Sequence, residues 1–380
     1  MFYGGLGCVV TGNPQAQASI HHLDGDPGNS ALPNLVPLSL NLHVGLKKNL
    51  KGDRLRPELR EMNLRETAER HFKSGRTTSA YGCLRLAYAL STHFLRLSDR
   101  DLEAEFQLAA HCLYFLRRSM TATRLDIASA NLRYILDHEL NETLTDKKIV
   151  PPFGEFCLLV ELASWLSEFG WSDEGLGLLR KARQRLKTYQ NKLAPKDVAR
   201  FQRQLVNALI HVGEYGLETE SAMRRAMESG DTSENNRYAI DNARMNYYLM
   251  QLKPREALVI LKEQYEYFEK ETDFCFGTLD NMDKTIQTSL SYMALSLLCE
   301  SQLIHSPRHR RNLEGRLVAL IMQEQHYGVT AMVNRTQRMI MAMDQAEHSF
   351  PSMLRFREGR VFPQLPKAEA ESILRVAQNL

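Results

Sequence analysis

The stretch Ala68-Glu-Arg-His-Phe-Lys-Ser-Gly75, followed by Ala80 and Ala87, places small residues at offsets 0, 7, 12 and 19. The same offsets recur in Ala163-Ser-Trp-Leu-Ser-Glu-Phe-Gly170 with Gly175 and Ala182. Small side chains let two helix backbones approach closely, and a glycine between them suits a turn. Each stretch therefore predicts a helical hairpin packed face to face. Two copies of one hairpin pattern predict a stacked array in which each unit buries its apolar face against the next. Such an array offers a long surface to other chains rather than a fixed reaction centre.

Apolar periodicity carries the reading along the chain. Hairpins are expected at about 62–74 with 78–96, 100–118 with 122–139, 154–169 with 173–190, 197–213 with 217–229, and 236–252 with 255–271. Further helices are expected near 280–303, 310–325, 329–347 and 367–379. No proline occurs between Pro57 and Pro151, and Pro254 suits a first helical turn, where its missing N–H costs nothing. Short links make sequential helices antiparallel neighbours. Trp165 reads as core and Trp171 as a cover over the end of its hairpin.

The N-terminal region differs. Six of the 21 glycines and four of the 13 prolines fall within the first 37 residues, which argues against helix there. Leu38-Ser-Leu40-Asn-Leu42-His-Val44-Gly-Leu46 alternates apolar with small or polar residues and predicts an edge strand over 38–46. A lone strand needs a partner, so it docks on the helices, pairs with another copy or stays mobile.

The small-residue pattern resembles the tetratricopeptide repeat. Ala68, Gly75, Ala80 and Ala87 match that family in the first unit, and Ala163, Gly170, Gly175 and Ala182 match in the third. The fifth unit has Tyr248 as packing aromatic, Leu252 where a glycine is usual, and Ala257 on its second helix. The second and fourth units match in periodicity only. Ala68, Ala163 and Met245 are equivalent positions two units apart and imply about 40–48 residues per unit instead of 34, hence longer helices. The resemblance implies an all-α fold, a right-handed superhelical array of antiparallel hairpins (a tetratricopeptide-like α-solenoid) with a non-helical N-terminal arm. The expected organisation is an arm at 1–55, helical repeats at 56–347, and a loop with a C-terminal capping helix at 348–380.

In that family the concave groove is lined by the first helix of each unit. Carried over, this places Asn242 and Asn246 in the groove, with Asn207 on the preceding first helix. Asparagine is a mediocre helix former, yet its amide both donates and accepts and can clamp a peptide backbone. In the first unit the same positions are Arg65, Glu69 and Lys73. The competing reading of all six is ordinary solvated polar residues.

Charge is segregated along the chain. Residues 180–203 hold nine Lys/Arg, among them Arg180, Arg183 and Lys187, against Asp197 alone. Residues 263–283 hold seven acids, including Glu266 and Asp273, against Lys270 alone, interleaved with aromatics. Both stretches suit a charged protein partner, or simply a solvated helix face. The basic stretch lacks an aromatic platform beyond Tyr189 and Phe201, which disfavours single-stranded RNA.

Composition excludes several classes. A net charge of +3 is too near neutral to indicate nucleic acid or an anionic membrane, and no apolar run reaches the roughly 18–20 residues of a membrane span. The N-terminus lacks the basic region of a signal peptide. The scattered cysteines at 8, 83, 112, 157, 275 and 299 read as small buried hydrophobes of a reduced cytoplasmic chain. No phosphate-binding loop, dinucleotide fingerprint, zinc-protease motif or nucleophile elbow is present. Pro307 breaks any helix that would align His305 with His309, and the segment His21-His22-Leu-Asp24-Gly-Asp26 lies in the glycine-rich region, so no metal and no cofactor is expected. The expected function is a non-enzymatic scaffold or adaptor that binds a protein or peptide segment in its groove. The alternatives are a ligand- or arm-controlled regulator or secretion chaperone of the same fold, and an RNA-binding helical protein. Self-association through the arm stays open.

Overall fold

The computed structural model describes residues 7–49, 60–74, 76–94, 102–119, 125–141, 144, 151–189, 193–231, 234–250, 253–271 and 365–380. The chain divides into two compact units, residues 1–165 with 365–380 and residues 166–364. Twelve helices and one two-stranded sheet are found among the described residues.

The first unit opens with an antiparallel hairpin of β1 (Ala18–His22) and β2 (Leu35–Ser39), in the register Ala18↔Ser39 to His22↔Leu35. Pro37 sits opposite Ile20, and its carbonyl accepts the Val9 N–H at 3.0 Å on the side away from β1. A residue's N–H and C=O point to the same side of a strand, so the missing proline donor removes no ladder bond. Helix α1 (Leu40–Asn49) follows directly.

This corrects the expected strand at 38–46 and the expected absence of helix in the arm. The alternation Leu38, Leu40, Leu42, Val44, Leu46 also contains i, i+4 pairs, so it satisfies helical as well as strand spacing. The helix buries Leu42 and Leu46 and leaves Leu40 and Val44 exposed. What decides is burial: Leu38 ends the strand's buried face, and Leu42 and Leu46 continue it as one helix stripe.

The first helical hairpin is α2 (Glu61–Lys73) with α3 (Thr77–Ala89), and α3 packs on α4 (Leu102–Ser119). Helix α5 (Leu125–Tyr134) packs on α4, and α6 (Pro152–Glu168) follows. Both α3 and α5 loosen into a π-helical turn, at Leu90–Phe94 and Ile135–Leu140. Polar pairs tie alternate helices together. Arg85 on α3 meets Glu139 in the second π turn through two 2.6 Å hydrogen bonds, and the Tyr81 hydroxyl donates to Asn131 at 3.2 Å. Arg117 on α4 meets Glu161 on α6 at 2.7 Å, and the indole N–H of Trp165 donates to the Leu113 carbonyl at 3.1 Å. Trp165 is core, as expected.

The last helix, α12 (Lys367–Asn379), packs on α5 and its π turn. Ser372 donates to Asp137 at 3.2 Å, and Ile373, Val376 and Ala377 are buried. Its place against the second hairpin is a pairing across more than 200 residues that no local pattern announces.

The second unit holds α7 (Ser172–Tyr189), α8 (Pro195–His211), α9 (Leu217–Met227), α10 (Glu234–Met250) and α11 (Pro254–Glu271). Sequential helices from α7 to α11 pack together, and α8 also packs on α10. Pro195 and Pro254 each open a helix. Helices expected at 280–303, 310–325 and 329–347 lie outside the described residues.

One turn geometry recurs. The N–H of Arg76 donates to His71 O, Trp171 to Leu166 O, Glu214 to Leu209 O and Lys253 to Tyr248 O, all at 2.8–2.9 Å. This is the six-to-one bond that closes a helix end when the intervening residue is left-handed. Gly170 and Gly213 supply that residue, with φ of 87° and 83°. Gly170 is exposed, whereas Ala68, Ala80, Ala87, Ala163 and Ala182 are all fully buried. Its role is conformational and not a close helix contact. Ser172 is the first residue of α7, and its hydroxyl donates back to the Ser167 carbonyl at 3.4 Å.

Candidate functional site

In the second unit the asparagines expected to line a groove lie on two helices that pack together. Asn207 is on α8 and Asn242 is on α10, both half-buried. The Asn242 amide oxygen is buried and has no hydrogen-bond partner among the described residues. Leaving an acceptor unpaired in that way costs about 1–3 kcal/mol, so it calls for a reason. The Asn246 side chain lies outside the described residues.

Several other polar groups of α8–α10 are engaged. Arg203 on α8 donates to the Asn236 amide oxygen, and the Asn236 nitrogen donates to the Asp231 carbonyl at 2.7 Å. Arg244 holds Asp241 at 3.2 Å. Burial nevertheless raises the Asp241 carboxyl above its ordinary value, against the pull of Arg244. The Tyr247 hydroxyl bridges to Glu220 at 3.0 Å and Tyr215 O at 3.3 Å. Among the described residues of α8–α10, these groups have partners and the buried Asn242 oxygen has none.

The first-unit candidates do not form a matching cluster. Arg65 donates to the Ala104 carbonyl of α4 at 3.3 Å, so it serves the packing of α2. Glu69 is exposed, and the Lys73 side chain lies outside the described residues.

The basic stretch is largely answered within its own unit. Arg180 meets Glu214 at 3.1 Å and Glu218 at 3.0 Å, and Arg183 meets Glu218 at 2.5 Å. Burial alone would raise the Glu218 carboxyl, but hydrogen bonds from Arg180 and Arg183 outweigh it and hold it below its usual value. These arginines link α7 to the turn before α9 and its first helical turn, so they are not free cations awaiting a partner. The side chains of Lys187 and Glu266, and all of Asp273, lie outside the described residues.

Sequence reasoning missed the buried polar pairs and the packing of residues 7–12. Arg85 and Glu161 each stand alone in an apolar run, Tyr81–Leu90 and Leu158–Leu166, and that is a usable signal. Their partners, 54 and 44 residues away, carry none. His21, weighed as a metal ligand, packs edge-on against His43 at 5.5 Å, and Asp24 accepts from Asn29 and Asn34. Among the described residues no group of three or more His, Cys, Asp or Glu forms a metal cage, and no helix is long and apolar enough to cross a membrane.

No family model, curated protein or solved structure matches the chain. The protein is mostly helical, with helix-hairpin packing of the kind found in α-solenoids.

Proposed function

We propose that this chain is a non-enzymatic interaction scaffold, a tetratricopeptide-like solenoid whose first helices bind an extended peptide segment. The repeat reading is supported by the six-to-one turn bond, whose acceptors Leu166, Leu209 and Tyr248 are spaced by 43 and 39 residues. Packing of α8 on α10, alongside packing of each on its hairpin partner, fits the same scheme.

The observation that carries the function is the unpaired Asn242 oxygen. An extended peptide presents backbone N–H groups at regular intervals, and one of them would satisfy this acceptor. Asn207, half-buried on the adjoining α8, would supply a second amide to the same backbone.

The test is a selection of peptides from a random displayed library on the full-length protein, followed by calorimetry with Asn242→Ala and Asn207→Ala. Each variant should bind about 2–10-fold more weakly, the equivalent of roughly 0.5–1.5 kcal/mol per hydrogen bond. The melting temperature of Asn242→Ala should hold or rise, because an unpaired buried acceptor is removed. Loss of stability with unchanged affinity would make Asn242 structural and end this assignment.

A further inference from the structure

The two edges of the β1–β2 hairpin differ. Residues 7–12 cover the outer edge of β2, where the Val9 N–H donates to Pro37 O at 3.0 Å. That segment is held in turn by α2 and α3, through His71 Nε2 on Val10 O at 3.0 Å and the Cys83 thiol on Val9 O at 3.2 Å. The outer edge of β1 has no such cover among the described residues. The Leu40 N–H donates to Gln17 O at 3.1 Å and the Leu23 N–H to Asn34 O at 2.8 Å, so Gln17 and Leu23 face the β2 side. By alternation Ser19 and His21 do so too, and Ala18, Ile20 and His22 point their N–H and C=O groups outward. Pro37, opposite Ile20, agrees, because its carbonyl also points away from the shared ladder. The His22 carbonyl accepts the Gly25 N–H at 3.1 Å, and among the described residues nothing pairs with the Ile20 N–H or C=O.

This open edge is apolar and unguarded. The Ile20 side chain is 48% exposed, Ala18 is exposed, and α1, which packs on β1, exposes Leu40 and Val44. Proteins protect an open edge with lysine, proline, a bulge or a covering loop. The strand Ala18–His22 contains no Lys, Arg, Asp, Glu or Pro, and its register with β2 is unbroken. Among the described residues its shortness alone protects it.

We propose that β1 pairs antiparallel with β1 of a second copy of this chain across a two-fold axis, joining two hairpins into one four-stranded sheet. The register is centred on Ile20. Each Ile20 exchanges both hydrogen bonds with the other, and Ala18 does so with His22. The strand is its own complement: His22 stands opposite Ala18 and His21 opposite Ser19, so no charge and no imidazole meets its like. The two Ile20 side chains lie together on one face and leave water. A second copy is favoured over a foreign peptide because β2 already holds β1 extended, so pairing does not have to order a flexible chain. The two-fold closes after two copies and leaves neither β1 edge open.

Full-length protein is followed by light scattering on a sizing column from about 1 to 200 µM, the range in which so short an interface dissociates. The mass should rise toward that of two chains. Ile20→Lys sets two ammonium groups side by side and should weaken dimerisation at least about tenfold. Its melting temperature should stay within about 2 °C of the parent, because the side chain is exposed. Leu217→Lys, at an 85% exposed leucine of the second unit, controls for general stickiness and should dimerise like the wild type. Hydrogen exchange over residues 17–23 should slow as the dimer forms. Should Ile20→Lys not fold, hydrogen exchange of the wild type decides. A monomer throughout this range, which would leave the edge to a foreign strand or to none, overturns the proposal. So does a dimer that Ile20→Lys leaves intact, one that Leu217→Lys also dissolves, or one whose formation does not protect residues 17–23.

Discussion

Removing the Glu139 carboxylate tests how the first unit is held together. Arg85 and Glu139 are joined by two 2.6 Å hydrogen bonds, and their side chains are 0% and 6% exposed. Burial works against the charged guanidinium, yet the Glu139 carboxylate holds the Arg85 pKa well above its ordinary value. A guanidinium stays protonated in proteins even without an acidic partner, so Glu139→Ala leaves a buried, uncompensated cation. Breaking a buried pair from one side costs about 3–5 kcal/mol. The unit holds about 180 residues, for which each kcal/mol moves the melting point roughly 2–4 °C, so a fall of about 6–20 °C is expected. Replacing both partners, as Arg85→Met with Glu139→Leu, removes the charge and the penalty together and should recover stability to within about 1 kcal/mol or exceed it. Trp165 is a reporter inside this unit, so thermal unfolding is followed by fluorescence in a Trp171→Phe background. A Glu139→Ala melting point within about 2 °C of its parent, or a double variant no better than the single one, would show that charge compensation is not what the pair supplies.

Acidification should weaken the attachment of residues 7–12. Burial first, then the charges of Arg76 and Arg70, lower the His71 pKa against the pull of the Val10 carbonyl. The unfolded chain therefore takes up this proton more readily, so the contribution to stability is complete above about 6.5 and is lost as pH falls below it. Urea titrations across that range should show a shallower pH slope for His71→Gln; an unchanged slope would assign the effect to other groups. Ala163, fully buried, should tolerate Leu poorly, at a cost of about 1–3 kcal/mol from overpacking. Gly170→Ala should instead cost roughly 1 kcal/mol through its left-handed backbone alone, and a neutral result in calorimetric melting would contradict the turn geometry.

Helix positions were legible because they depend on local periodicity. The expected 173–190, 255–271 and 367–379 are found as Ser172–Tyr189, Pro254–Glu271 and Lys367–Asn379. Small residues mark where backbones approach, and Ala68, Ala163 and Ala182 are buried as that reasoning requires. The segment 38–46 shows the limit, since leucines at every second position fit two periods and local pattern cannot choose between them. For the candidate site, local pattern names residues but not their partners. Asn207 and Asn242 sit on adjoining helices, but Arg65 and the pair Arg180 and Arg183 turn out to have partners inside the protein.

What the sequence determines by itself is the succession of helices and turns, because each is encoded by residues a few positions apart. The tertiary structure alone decides which polar groups are spent and which remain. Arg85 finds Glu139 across 54 residues, Cys83 finds Val9 across 74, and Ser372 finds Asp137 across 235. The physical reason is that a hydrogen bond or ion pair depends on distance in space, and chain folding sets that distance without leaving a mark in the spacing of residues. The buried Asn242 oxygen, without a partner among the described residues, is visible for the same reason only in the folded chain.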